Sequence, residues 1–432
     1  MAQNGAGWHS NGPVSCIRAF RCAVCVGYHY EVSTYIMFEG IARVPGDAIL
    51  GLIEAFNNDT NPNKVDLGVG VYRDTQGRTP ILASVKAAEQ RLLDNEATKS
   101  YIGSHGDPRY TDAVLKLVLG SASPVLAQQR ASATQSPGGT GALRLAADFI
   151  RTNLGERGIW VSDPTWPNHL GIFDAAGLTI HHYPYVSSDN RLDFDGMLAA
   201  LEKAPQGDVV LLHACCHNPS GFDLDKQQWQ QVLELVKRRQ LLPLIDFAYQ
   251  GFGDGLDEDA YGVRLLAESL DEVIITSSCS KNFGIYRERT GCFILIARDQ
   301  EQMENVRSQA AITARENYSN PPAHGGAVVA EILNDASLAE QWESEVETMR
   351  SRIADLRTAF VDALEPYGLK ERFAFIREQR GMFSYTGLSV EQVERLRKEF
   401  GIYMVGSGRA NVAGLSSDCL DYVAKAFAEV CR

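Results

Sequence analysis

The sequence predicts an α/β protein: a large domain with a mostly parallel sheet between helices, plus a smaller α+β domain. The first reason is alternation. From about residue 80 to 345, short apolar runs of strand length are separated by helical stretches. Crossover helices on both faces of a parallel sheet produce that pattern. The second reason is a change after residue 345, where a long mixed-charge helical stretch precedes two short apolar runs and two more helical stretches.

In chain order, residues 1–36 are dominated by Gly, Ser, Asn and scattered Cys, and hold no period. They read as an unstructured leader of unknown role, or as sequence ahead of a later start at Met37. Cys22 and Cys25 form a CxxC with Cys16 and His29 nearby, but one such pair without a second is weak ground for zinc. Residues 37–78 carry a Pro-Gly-Asp helix start at 45–47 and are expected to pack with the small domain. Residues 79–345 form the large domain. Its strand candidates are GIWVSDP (158–164), DVVLLHACCHNP (208–219), LLPLIDFAY (241–249), EVIITSSCSK (272–281) and GCFILIA (291–297). Between the second and third lies DLDKQQWQQVLELVKRRQ, an amphipathic helix opened by Asp. Residues 346–432 form the small domain: a helical pattern, MFSYTG, a helix at 389–400, GIYMV and a final helix.

Composition narrows the function. Hydrophobic residues make up 45% and charged residues 22%, as in ordinary soluble globular proteins. No uninterrupted apolar run reaches the ~18 residues a membrane helix needs. A net charge of −13 argues against a nucleic-acid partner. Nine cysteines in a chain this long are no disulfide framework and read as reduced thiols of a cytoplasmic enzyme.

Several strand candidates end, on their carboxyl side, in polar groups: Asp163 and Trp166; His217 and Asn218; Asp246 and Tyr249; Ser278, Ser280 and Lys281. Ligands of open α/β sheets bind beyond those ends. A lysine becomes a nucleophile when desolvation or a nearby cation lowers its pKa. Lys281 follows a strand, with Ser278, Ser280 and Arg289 supplying the hydroxyls and guanidinium of an anion cradle. Gly138, Gly139 and Gly141 make a tight turn, with a helix opening near Thr140, and a helix amino terminus binds phosphate. GGTGA is not the GxGxxG of a dinucleotide loop, and no acidic residue ends a strand ~20 residues later, so a NAD-binding dehydrogenase is disfavoured. Asp246, at a buried strand end, needs a positive partner such as a protonated pyridine nitrogen. Arg409 and Arg315 suit two carboxylates, as on a dicarboxylic amino acid.

From Met37 to the C-terminus the chain resembles the aspartate/aromatic branch of the fold-type I, class I pyridoxal-phosphate-dependent aminotransferases. LGVGVYRD, TKSYIG, GGTGALR, DPTWPNH, CCHNPSG, DFAYQGF, SKNFG with YRERTG, NYSNPPAHG, GMFSYTGL and SGRANVAG occur in that family's order. The resemblance implies a homodimer with shared active sites and a small domain that moves on substrate binding. It implies that Lys281 carries pyridoxal phosphate as a Schiff base and shuttles the substrate proton. Asp246 pairs with the pyridinium, Asn218 and Tyr249 bond the ring oxygen, Trp166 stacks, and His169 lies behind Asp246. Gly139, Thr140, Ser278, Ser280 and Arg289 hold the phosphate, with Tyr101 from the neighbouring subunit. Arg409 takes the substrate α-carboxylate, Gly70 lines the substrate site, and Arg315, again from the neighbour, takes a distal carboxylate. Two positions depart from the pattern. Cys279 replaces a common aromatic, and Thr290 stands where an apolar residue is usual, which is expected to loosen local packing.

The expected reaction moves the amino group of aspartate, tyrosine or phenylalanine to 2-oxoglutarate by a ping-pong route. The alternative within the same cofactor chemistry is β-decarboxylation or elimination, against which the Arg315–Arg409 pair stands. A non-catalytic sensor would need a basic DNA-binding segment, and the leader is barely basic.

Overall fold

The computed structural model describes residues 37–43 and 48–432, so the Cys16, Cys22, Cys25 and His29 reading lies outside it. The chain divides into two compact units, Met1–Pro45 and Gly46–Arg432. In the first, the described residues make a turn in which Ile41 N–H donates to the Phe38 carbonyl at 3.1 Å.

The second unit begins with a helix, Ala48–Asn58, and strand β1 (Val65–Asp66). Its central sheet holds β2 (Ala131–Pro137), β3 (Gly158–Asp163), β4 (Thr179–Pro184), β5 (Val209–His213), β6 (Leu242–Phe247), β7 (Val273–Ser278) and β8 (Thr290–Ile296), in the order β2-β8-β7-β6-β5-β3-β4. All neighbours are parallel except those of β8, which runs against both β2 and β7. Every residue of β7 and β8 is buried, as central strands covered on both faces require.

Alternation along β5 divides the core. Val210 and Leu212 face one apolar cluster, with Val114, Trp229, Val263 and Val328 from covering helices. Val209 and Leu211 face another, with Leu145, Phe173 and Ala310. The helix Lys226–Arg239 starts where the sequence places it, with Asp225 and Gln228 forming a reciprocal capping box.

Three features differ from the sequence reading. β2 and β4 were not anticipated: β2 reads ASATQSP, with buried Thr134, Gln135 and Ser136, and β4 is a partly exposed edge, so neither has an apolar run. β5 stops at His213 rather than continuing to residue 219, because Cys216 adopts a φ of 51° and turns the chain. The Asp223 carboxylate caps that turn, accepting from the Cys216 and His217 amides at 2.7 and 2.9 Å. The third is the helix Ala336–Ala363, which runs unbroken through the 345/346 boundary because its start is set by the Asp335 cap.

Beyond that helix lie β9 (Phe383–Tyr385), β10 (Ile402–Tyr403) and β11 (Arg409–Asn411). β1 pairs parallel with β10 and β9 antiparallel with β11. Asn411 N–H donates to the Leu67 carbonyl at 2.7 Å, so the segment after β1 is held against the strand that carries Arg409.

Candidate active site

A cavity of about 260 Å³ opens at the edge of the sheet where β5, β6 and β7 end. Gly70, Gly139, Thr140, Trp166, Asn218, Asp246, Tyr249, Ser278, Ser280, Lys281, Arg289 and Arg409 all line it. A wider groove of about 1040 Å³, lined by Lys116, Asp254, Glu258, Glu343 and Glu347 among others, contains none of these residues.

One part of the cavity is built for an anion. The helix Gly138–Asn153 begins there with no side-chain cap, leaving its first amides available. Gly138 has a φ of 73°, and a Cβ on it would collide with Arg289 Nη2. A Cβ on Gly139 would lie 3.1 Å from that of Ser278. Glycine therefore lets guanidinium, serine and helix end converge. Arg289 is itself turned by a φ of 52°, and its Nη1 donates to the Tyr286 carbonyl at 2.8 Å. Among the described residues it forms no ion pair.

Asp246 anchors a second part. The Asn218 amide donates to His213 Nδ1 at 3.4 Å, which leaves His213 Nε2–H facing Thr165 Oγ1 at 3.4 Å. Thr165 then donates to His169 Nδ1, and His169 Nε2–H donates to Asp246 Oδ2, both at 2.9 Å. Donor and acceptor roles agree along the whole chain. Burial, with His169 close by, pushes His213 down to about 3, so it stays neutral. Burial opposes the charge on Asp246, yet the His169 hydrogen bond and the nearby Lys281 hold its carboxyl below the usual range. The cavity thus contains a stabilised carboxylate with one hydrogen-bonding face engaged.

Lys281 is half-buried, with Nζ 4.6 Å from the centre of the Tyr249 ring. Burial, then Arg289, outweigh Asp246 and push its ammonium down to about 8. About a tenth of it is free amine at pH 7, against well under a thousandth for an ordinary lysine. Labelling of Lys281 by an aldehyde with reductant, in protein without cofactor, is expected to rise through about pH 8. A midpoint near 10.5, the ordinary lysine value, would mean that burial and Arg289 do not lower it.

Arg409 is buried, and burial lowers its pKa. Nη1 donates to Asn218 Oδ1 at 3.2 Å and Nη2 to the Gly68 carbonyl at 3.0 Å, while among the described residues Nε has no hydrogen-bond partner. Its guanidinium carbon lies 4.2 Å from the centre of the Phe383 ring, and among the described residues it forms no ion pair. A Cβ on Gly70 would come within 2.7 Å of Phe383 Cζ, so the glycine leaves room for that ring.

Two predicted residues are not brought to the cavity of their own chain. Tyr101 is 92% exposed, and Arg315 is exposed with its guanidinium on Ser319 Oγ. Conversely, His213, Tyr286, Leu143 and Phe383 line the cavity unpredicted, and Thr165 supports it. Thr165 and His169 sit four apart at the start of a helix, a spacing visible in DPTWPNH. The two departures are accommodated. Thr290 is fully buried against Gly325, where a Cβ would collide with its Oγ1, so the expected loosening is absent. Cys279 is buried beneath Tyr110, whose hydroxyl lies 3.5 Å from its Sγ, so the tyrosine ring occupies space beside the small thiol. Cys215, Cys216 and Asp259 also cluster, but both carboxylate oxygens already accept from the amides of 251, 253, 254 and 255.

A family described as "Aminotransferase class I and II" matches residues 62–427. The chain is 63% identical over 394 residues to the aromatic-amino-acid aminotransferase of Pseudomonas aeruginosa, covering 91% of this chain and 99% of that one. It is 50% identical over 383 residues to the aspartate aminotransferase of Escherichia coli, covering 88% and 97%. Among solved structures, it is similar to the aromatic-amino-acid aminotransferase from Burkholderia pseudomallei covalently bound to pyridoxal phosphate. The TM-score is 0.90 and the identity 46%, covering 92% of this chain and 100% of that one.

Proposed function

The chain belongs to the class I and II aminotransferases, and we propose that it moves the amino group of aspartate and of tyrosine or phenylalanine to 2-oxoglutarate. The donor's oxo acid leaves before the acceptor binds, and the cofactor is pyridoxal phosphate. The observation that carries this reading is one cavity that joins a stabilised carboxylate, a lysine of lowered pKa, an uncapped helix end beside an arginine and a buried guanidinium which, among the described residues, have no ion-pair partner.

Those groups fit the cofactor. The Gly138–Gly139 helix end, Thr140, Ser278, Ser280 and Arg289 would hold its phosphate. Asp246, kept anionic by the histidine chain, would pair with its ring nitrogen, Asn218 and Tyr249 would bond the ring oxygen, and Trp166 would cover the ring face. Lys281 would hold it covalently. When bound, the cofactor supplies a carbonyl carbon that receives the amino group and a protonated ring that accommodates carbanion charge.

The protein supplies position and proton transfer. Arg409 would fix the substrate α-carboxylate, with the Nε donor that has no partner among the described residues. Gly70 would leave space beside it. The Lys281 amine, once free, would carry the proton from the substrate Cα and return it. With its pKa lowered toward 8, it is a base able to act near neutrality.

Tyr101 and Arg315 would enter from the neighbouring subunit of a homodimer. Their exposure, with side chains of chemistry suited to phosphate and carboxylate, supports this. We assign the enzyme to the cytoplasm on its cysteines, which are free among the described residues. Among those residues, no helix is long and apolar enough to cross a membrane.

The test is a half-reaction. Protein loaded with pyridoxal phosphate receives L-aspartate or L-tyrosine with no oxo acid present, and the visible absorbance of the lysine-linked cofactor is followed. Both donors are expected to convert it to the amine form. Conversion by one alone names the donor class, and conversion by neither leaves another reaction of the same cofactor, such as β-decarboxylation.

A further inference from the structure

Arg357 lies on the helix Ala336–Ala363 and is only 3% exposed. A buried guanidinium ordinarily pairs with a carboxylate, because an unpaired buried charge is costly. Among the described residues Arg357 forms no ion pair. All its partners are neutral, and all come from one segment, residues 376–384. Nη1 donates to the Ile376 carbonyl at 3.3 Å, to Gln379 Oε1 at 3.4 Å and to Ser384 Oγ. Nη2 donates to the Gly381 carbonyl at 2.6 Å and the Phe383 carbonyl at 3.1 Å. Burial pushes its pKa down to about 10, so it remains a cation at neutral pH.

The segment it holds reaches the substrate side of the cavity. Ser384 Oγ donates to Gln379 Oε1 at 2.7 Å, closing the segment on itself. The Arg380 amide donates to the Gly221 carbonyl at 2.6 Å, tying it to the turn that carries Asn218. Phe383 opens β9, and its ring packs on the Arg409 guanidinium, stands edge-on to Tyr249 at 6.1 Å, and fills the space left by Gly70. Each Arg357 bond to this segment therefore bears on where that ring sits. Apart from the ring, among the described residues only Asn218 and the Gly68 carbonyl hold the Arg409 guanidinium.

We propose that Arg357 is a positioning residue for carboxylate binding: it holds segment 376–384 so that the Phe383 ring fixes the face of Arg409. This rests on the reading of Arg409 as the clamp for the substrate α-carboxylate. Arg357 touches neither substrate nor cofactor and acts only through Phe383.

The experiment measures, by calorimetry on the pyridoxal-phosphate-loaded enzyme, the affinity for 3-phenylpropionate, a carboxylate with no amino group to react. Arg357→Lys keeps the charge but not the fork of donors. It is expected to weaken binding about tenfold and to raise KM for phenylalanine similarly, with kcat changed less than about threefold. Phe383→Leu is expected to weaken binding at least as much, and the double variant no further than Phe383→Leu alone. A merely structural arginine would lower Tm without that non-additivity. An Arg357→Lys affinity within about twofold of the parent, or a loss that adds in full to that of Phe383→Leu, overturns the proposal. If Arg357→Lys does not fold, Ser384→Ala, which removes one acceptor, takes its place in the same cycle. Arg409→Lys separates the two readings. If it weakens binding while Arg357→Lys does not, only the positioning role fails; if it leaves binding unchanged, the clamp reading fails and the positioning role with it.

Discussion

Alanine in place of Lys281 is expected to lower transamination by about four orders of magnitude or more, the largest effect of any single substitution in the cavity. The reason is that, among the described residues of the cavity, no other group is placed and protonated to do its work. His213 is held neutral with its pKa pushed down to about 3, too weak a base. Burial raises the Tyr249 hydroxyl well above its ordinary value, so it does not release its proton. Asp246 accepts from His169 and is held below the usual carboxylate range. The proposed phosphate cradle of Gly139, Thr140, Ser278, Ser280 and Arg289 is untouched by the substitution, so the cofactor is expected to remain bound on equilibrium dialysis. Borohydride reduction followed by peptide mass analysis should find the cofactor on the Lys281 peptide of the parent and on no peptide of the variant. Activity within about a hundredfold of the parent, or an adduct on another lysine, would falsify the assignment.

What the sequence made legible follows from the range of the interactions involved. β3, β5, β6, β7 and β8 declare themselves because each carries an apolar run that the core buries. β2 does not, since it is built from small and polar residues whose partners lie on β8 and the helices around it. That β8 runs antiparallel is equally hidden, because an apolar run carries no direction. In the cavity, Lys281 and Asp246 are recognisable by residue type and position at strand ends, and Arg289 by its place eight residues after Lys281. Phe383 is not: its role depends on Arg409, Gly70 and Tyr249, which are far apart in the chain and meet only in the fold. Cys279 looks like a lost aromatic until Tyr110 is found beside it.

The fate of Arg315 is the sharpest case, because a single chain places it away from its own cavity. Arg315→Asp is expected to reduce kcat/KM for aspartate by about a thousandfold or more, while phenylalanine stays within about tenfold. Aspartate loses a guanidinium partner for its side-chain carboxylate and meets a like charge, whereas phenylalanine carries no charge there. Equal losses for the two donors would count against a distal clamp. Which subunit supplies the arginine is decided by mixing. If the enzyme is the proposed homodimer, refolding equal amounts of Lys281→Ala and Arg315→Asp chains makes about half the dimers hybrid when association is random. If Arg315 serves the neighbouring cavity, each hybrid has one cavity with both lesions and one with neither, so about a quarter of all cavities recover aspartate activity. If Arg315 serves its own cavity, every cavity in every dimer carries one lesion and the mixture stays inactive. The two unmixed variants are inactive toward aspartate in either case, so the recovered fraction alone reads out the geometry.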